Sequence, residues 1–247
     1  MALSKAKIKW VQQLSAKKFR KQLGLFVAEG DKMVAEMLAT FVCKTLFYTD
    51  AYTGPIQGGE TIEVSYDELC KISRLETPQH VLAVFELPQY TLQASHLKDQ
   101  LIIALDGVQD AGNLGTIVRL ADRFGIEHIL CSHGTVDVYN PKVVQATMGA
   151  LARVKVHYVD LLEQLPALQM PIYVTALDGD NIYQTNLSEN GVVVMGNEGN
   201  GVSDAVKALA THSLFIPNFP VGRSTSESLN VGVATAVVCA EFRRRQL

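Results

Sequence analysis

The sequence predicts an α/β protein in two parts, a small α/β unit over residues 1–90 and a larger parallel-sheet domain over residues 98–247. Three observations predict it. From Leu101 onward, β-rich runs alternate with helical stretches, the pattern of a parallel sheet covered on both faces. The polar, irregular stretch Gln89–Lys98 separates this pattern from what precedes it. With 48% hydrophobic and 19% charged residues in 247, the chain can bury one large core or two moderate ones. The longest apolar runs, such as Val233–Ala240, are far short of the roughly 20 residues that cross a bilayer. The polar, basic N-terminus has no apolar signal core, so the expectation is a cytoplasmic protein without a membrane partner.

In the first part, Lys5–Leu23 has helix-forming composition. GLFVAEG then reads as a short buried strand closing on Gly30, and DKMVAEML as a helix. Lys44–Tyr48 is a second strand. A loop follows at Gly54, Pro55, Gly58 and Gly59, and HVLAVFELP is a strand ended by Pro88. This part holds no clustered histidines, no paired carboxylates with an acid/base partner and no phosphate loop, so its expected role is binding.

In the second part, LIIALD, HILCS, VKVHYV, IYVTAL and GVVVMG are the β-rich runs, with helical stretches after Asn113, Pro141, Asp160, Ser203 and Ser228. Ligands of such sheets collect at the carboxyl ends of the strands. Three loops there carry polar groups. In DGVQDAGNLGTIVRLADRFG, Asn113 is read as the N-cap of a helix whose core face is Leu114, Ile117, Val118 and Ala121, with Arg119 one and a half turns in. In MGNEGNGVSD, three glycines surround one carboxylate, Glu198. The loop lacks the Lys-Ser/Thr of a phosphate loop and the distal acidic residue of a dinucleotide site. In IPNFPVGRSTSESLNVGVATAVVCAEF, an irregular loop runs into an apolar helix, with Ser228 and Asn230 at its start. Each polar group has a plain structural alternative: Asn113, Ser228 and Asn230 as helix caps, Arg119 as a surface cation, Glu198 as a turn residue.

Net charge is only -3, but its distribution is uneven. Lys5, Lys7, Lys9, Lys17, Lys18, Arg20 and Lys21 all precede the first acidic residue, Glu29, and Arg243, Arg244 and Arg245 cluster at the other end. These are two candidate phosphate-binding patches, or else a solvated helix face and a frayed tail. Cys43, Cys70, Cys131 and Cys239 are widely spaced with no CxxC pair, which argues against disulfides and a metal site; all four are read as buried thiols.

Taken together, the three loops resemble the SpoU (TrmH-like) family of SPOUT methyltransferases. Asn113, Gly115, Ile117 and Arg119 match its first motif, and Gly196 to Gly201 its second. Ile216 and Pro217, followed after a loop by Ser228, Leu229, Asn230 and Val231, match its third. The first part is similar to the family's substrate-binding module of ribosomal-protein L30e type, through KKFRKQLGLFVAEG and TPQHVLAVF. Ala111 stands where the family has proline, Gly232 where serine is common, and the loop from Asn218 to Glu227 is longer than usual.

The resemblance implies a SPOUT domain whose C-terminal segment forms a deep trefoil knot. It implies S-adenosyl-L-methionine held by backbone groups at Gly196, Ile216 and Leu229, and methyl transfer to a ribose 2'-hydroxyl of RNA. It also implies a homodimer whose active site borrows Arg119 from the other subunit. Asn113, Ser228 and Asn230 would position ribose and cofactor, and Glu198 would hold the arginine or the loop. A guanidinium is too weak an acid to serve as a base, so Arg119 is expected to pair with substrate phosphate and to stabilise the developing alkoxide. Lys17, Lys18, Arg20, Lys21 and Arg223 are the expected RNA contacts. Ribosomal RNA is the expected substrate by analogy with the L30e module; the alternatives are transfer RNA, or a noncatalytic RNA-binding or ribosome-assembly role on the same fold. A nucleotide-dependent oxidoreductase is disfavoured by the missing dinucleotide fingerprint.

Overall fold

The structure, a computed structural model, describes residues 3–220, 223 and 228–246. The chain forms two compact units. One takes the chain up to Gln89 together with Asp137–Ala152; the other takes Tyr90–Val136 and the chain from Arg153 onward. Residues 1–90 contribute α1 (Lys5–Gln13), α2 (Lys17–Leu23), β1 (Leu25–Glu29), α3 (Asp31–Leu38), β2 (Cys43–Tyr48), β3 (Glu60–Glu63), α4 (Tyr66–Ile72) and β4 (Val81–Glu86). The rest of the chain contributes β5 (Leu101–Asp106), α5 (Ala111–Arg123), β6 (His128–Cys131), α6 (Pro141–Thr147), β7 (Lys155–Tyr158), α7 (Leu161–Ala167), β8 (Ile172–Asn181), β9 (Gly191–Gly196), α8 (Asp204–Lys207), β10 (His212–Phe215) and α9 (Val231–Arg244).

In the first unit, the helical stretch Lys5–Leu23 divides at Leu14–Ala16. Ser4 caps α1 by accepting from the Lys7 N–H, and α2 ends on Gly24 in the left-handed region that suits glycine. The sheet runs β1-β4-β2-β3, with β4 antiparallel to both neighbours and β2 parallel to β3. Two elements are absent from the sequence reading. β3 is largely exposed, so its sequence ETIE carries no apolar alternation. α4 does have a legible start, because Ser65 and Glu68 form a reciprocal capping box.

All five residues of the edge strand β1 are buried, and α6 packs against it. Residues 137–152, which the sequence pattern assigned to the second domain, thus cluster with the first unit. Tyr139 lies 4.8 Å from the ring of Phe26, and the Thr40 hydroxyl donates to the Ala152 carbonyl at 3.2 Å. Arg20 ties the segment down. It is 2% exposed and donates to Asp137 Oδ2 at 2.5 and 3.2 Å and to the carbonyls of Leu14 and Ser15. This corrects its reading as an RNA contact: a buried guanidinium with four of its five N–H donors engaged inside the protein is closed to a phosphate. Lys17, Lys18 and Lys21 are exposed, as a phosphate contact requires.

The second unit is a six-stranded sheet in the order β10-β8-β9-β5-β6-β7, with every neighbouring pair parallel. The five runs read from the sequence are its strands, and β10 is a sixth. Its core includes Ile102, Ala104, Leu130, Val174, Val192 and Val194, all at most 1% exposed. From β5 the strand order grows one way through β6 and β7 and the other way through β9, β8 and β10. The switch point is therefore between the carboxyl ends of β5 and β9, at Asp106 and Gly196.

Two of the three C-terminal arginines, Arg243 and Arg245, are tied to backbone carbonyls, and Arg244 stays exposed beside Glu241, which corrects the second basic patch. Arg243 donates to the carbonyls of Phe124 at 2.7 Å and Gly125 at 3.2 Å, just past the end of α5, where a cation complements the helix dipole. Arg244 and Arg245 both donate to Glu241 at 2.8 Å, and Arg245 also reaches the Ile182 carbonyl at 2.9 Å. The hydrogen bond from Arg244 is the main reason that the Glu241 carboxyl is lowered to about 2. Cys43, Cys131 and Cys239 are buried, but Cys70 is exposed on α4.

Candidate active site

The first loop's helix begins one turn's worth of donors earlier than its sequence suggests. Asp110 is the N-cap of α5 and accepts from the Asn113 backbone N–H at 2.7 Å. Asn113 is therefore not the cap but the third helical residue. With the backbone served by Asp110, its side-chain amide is released for other work. Leu114, Gly115, Ile117, Val118 and Ala121 form the buried face of α5.

The second loop is a tight turn at the end of β9. Asn197 and Gly201 exchange backbone hydrogen bonds at 2.9 Å each way, enclosing Glu198, Gly199 and Asn200. Gly201 adopts φ 68°, and a Cβ on Gly196 would lie 2.1 Å from the Gly201 carbonyl carbon. The absent side chain at Gly196 makes room for the turn's own return strand. Glu198 is held over the start of α5. Its carboxylate accepts from the backbone N–H groups of Gln109 and Asp110, each at 3.4 Å, and from Asn113 Nδ2 at 3.0 Å. Partial burial raises the Glu198 pKa, but these hydrogen bonds, led by that from Asn113, outweigh it and leave the net value below the usual carboxylate range.

In the third loop, Asn230 is the N-cap of α9, its Oδ1 accepting from Gly232 N at 2.9 Å and Val233 N at 3.3 Å. Its Nδ2 donates to Asn113 Oδ1 at 2.9 Å. Gly232 allows this approach, since a Cβ there would press on the Thr116 methyl at 3.3 Å. Glu198, Asn113 and Asn230 are thereby one directed relay. A carboxylate only accepts, so Asn113 must turn its NH2 toward Glu198 and its oxygen toward Asn230. Asn230 must in turn give its NH2 to Asn113 and its oxygen to the helix start. One anion fixes the rotamer of both amides, and each NH2 keeps one N–H for a ligand.

The other expected site residues are not part of the relay. Arg119 is exposed on α5, about 9 Å along the axis from Asn113 and about a third of a turn round. It makes no hydrogen bond or ion pair among the described residues. Ser228 is exposed, two residues before the α9 cap. Apolar side chains meet solvent in the third loop and on β8: Leu229 is 49% exposed, Leu177 62%, and Ile216 is half-buried. Arg223 is exposed, its carbonyl held by Asn218 Nδ2 at 2.6 Å. Residues 221, 222 and 224–227 of the long loop lie outside the described residues. Asp110 escaped the sequence reading, although an aspartate just ahead of an apolar-periodic run is a cap signal.

The sequence and the fold have known counterparts. The model of the SpoU rRNA Methylase family matches residues 100–240, which hold all three loops. The chain belongs to that family. Residues 5–83 match the MRM3-like substrate binding domain. A relative, the 23S rRNA (guanosine(2553)-2'-O)-methyltransferase RlmP of Bacillus subtilis, is 31% identical over 96% of both chains. A TrmH-family structure from Porphyromonas gingivalis superposes with a TM-score of 0.89 and 39% identity, covering 99% of this SpoU-family chain and 100% of that one. The AdoMet-bound rRNA methyltransferase of Sinorhizobium meliloti superposes with a TM-score of 0.85 and 29% identity, covering 100% and 97%.

Proposed function

We propose that this SpoU-family protein is an S-adenosylmethionine-dependent methyltransferase acting on a ribose 2'-hydroxyl of ribosomal RNA in the cytoplasm. The observation that carries the reading is the Glu198–Asn113–Asn230 relay at the switch point of the sheet. Ribosomal RNA is supported by relatives that act on it and match along the whole chain.

The residues present fit the cofactor. Leu229, Leu177 and Ile216 offer apolar contact for an adenosyl group, next to a glycine-lined turn whose backbone is open to approach. Bound S-adenosylmethionine supplies a methyl group already activated on a sulfonium, so the chain's task is alignment and charge stabilisation. The free N–H groups of Asn113 and Asn230 hold the ribose in line, with Ser228 supplying a further donor and acceptor. Glu198 orients them and is not the base, because a carboxylate with a lowered pKa and engaged oxygens is a poor proton acceptor. Arg119 pairs with the substrate phosphate and stabilises the developing alkoxide, and the proton leaves to that phosphate or to water. Since Arg119 and Asn113 diverge on one helix, we assign the arginine of each site to the second subunit of a homodimer. The proposed trefoil threading fits the path from edge strand β10 back to α9, which packs on the more central β9. Lys17, Lys18, Lys21 and Arg223 contribute phosphate contacts.

Mapping 2'-O-methyl positions in ribosomal RNA from cells with and without the protein tests this reading. Loss of one ribose methylation, restored by the purified protein with S-adenosylmethionine, is the expected result. An unchanged map would overturn it.

A further inference from the structure

Between the carboxyl ends of β5 and β9, one residue is held at both its N–H and its carbonyl. Gly107, at φ 75°, donates its N–H to Ser132 Oγ at 2.9 Å, and its carbonyl accepts from Asn197 Nδ2 at 2.7 Å. The other end of the Asn197 amide is also spent, because Oδ1 accepts from Gly199 N at 2.9 Å and Asn200 N at 3.2 Å. Asn197 is partly buried, and its two amide ends join two loops that carry the relay. On one side is the turn that presents Glu198, the next residue. On the other is the Gly107–Asp110 segment, whose Gln109 and Asp110 N–H groups point at the Glu198 carboxylate.

We propose that Asn197 is a positioning residue for methyl transfer: by bridging the Glu198 turn to the Gly107 peptide, it sets Glu198 in register with Asn113 before substrate arrives. The inference rests on the function proposed above. Besides the bridge, Glu198 itself is tied to the Gln109–Asn113 segment only by the two 3.4 Å contacts and the exposed Asn113 bond, which are long or open to water, while the Ser203 N–H bond to Asp106 at 2.9 Å holds the chain beyond the turn and does not orient Glu198. The bridge itself is short and partly buried. It does not touch ribose or cofactor; it acts through the orientation of Asn113 and Asn230.

Two variants separate the bridge from the turn. Asn197→Asp keeps acceptors for Gly199 and Asn200 but has no donor for Gly107 and sets a carboxylate against that carbonyl. Asn197→Ala removes both functions. Hydrogen exchange read at single amides is the first measurement. In Asn197→Asp, the Gln109 and Asp110 amides should exchange at least about 10-fold faster while Gly199 and Asn200 stay protected; in Asn197→Ala all four should speed up. Methyl transfer to ribosomal RNA is the second. Both variants should lose about 10- to 100-fold in kcat, with S-adenosylmethionine affinity within threefold of wild type and a Tm lowered by only about 2–8 °C, so that the enzyme stays folded at the assay temperature. Wild-type kcat in Asn197→Asp would overturn the proposal, as would unchanged exchange at Gln109 and Asp110, or a kcat loss matched by lost cofactor binding. If the wild type methylates no ribosomal RNA, the proposed function fails, and the exchange data still decide whether the bridge exists.

Discussion

At the scale of single residues, one carboxylate governs the site's polar geometry. Glu198→Gln keeps the size but loses the anion, so the chain can place an NH2 where Asn113 and the Gln109 and Asp110 amides all donate. Hydrogen bonds to a charged group contribute about 1.5–3 kcal/mol, and kcat should fall roughly 10- to 100-fold. Steady-state methyl transfer checks this, and an unaffected Glu198→Gln would refute the relay. Arg20 shows the opposite outcome for a charge. Its position in a lysine-rich run suggested phosphate contact, yet its partner is 117 residues away. Only the lysines beside it remain available. Neutralising Lys17, Lys18 and Lys21 should flatten the salt dependence of RNA binding by roughly 0.7–0.9 log units per lost phosphate contact. A slope unchanged in the triple variant would return those lysines to a solvated face.

At the scale of elements, the segment between β6 and β7 is the informative one. It leaves the sheet of the second unit, and α6 covers the buried edge strand β1 of the first. Asp137→Ala leaves Arg20 buried and uncompensated, a loss of about 3–5 kcal/mol that denaturant unfolding should register. β6 and β7 carry a second device, the stacked pair of partly buried His128 and buried His157, joined ring nitrogen to ring nitrogen at 3.0 Å. Burial, then the neighbouring His128 and Lys155, lower the His157 pKa to about 4. The unfolded chain binds that proton near the ordinary value of 6.5, so the unfolded state holds more protons between the two. The stabilisation is complete above about pH 6.5 and is lost as pH falls toward 4, amounting to about 3 kcal/mol. In His157→Gln this part of the pH dependence should vanish from unfolding curves measured between pH 7 and 4.

At the scale of the whole molecule, the proposed site needs two copies of the chain. Asn113→Ala and Arg119→Ala should each be inactive alone. Unfolded together and refolded, the two should regain about a quarter of wild-type activity, because half of a random mixture is heterodimer and each heterodimer holds one intact site. No recovery on mixing would place Arg119 in the same subunit as its relay or remove it from the reaction. Either result is readable by methyl transfer from labelled cofactor.

Much of the architecture was legible in the chain. The alternation from Leu101 announced the parallel sheet, and the apolar spacing of Leu114, Ile117, Val118 and Ala121 gave the core face of α5, because periodicity is a local property set by which face is buried. The three loops were visible as polar groups at strand ends. β3 was not, since an exposed strand has no apolar rhythm, and neither was the attachment of residues 137–152 to the first unit. What the sequence by itself determined, then, is the order and type of most elements and the family to which their motifs belong. The tertiary structure alone decided what the distant polar side chains do: Arg20 is buried against Asp137, and Glu198, Asn113 and Asn230 form one relay. The reason is that hydrogen bonds and ion pairs join residues 85 to 117 positions apart, and no local pattern in the chain records that distance.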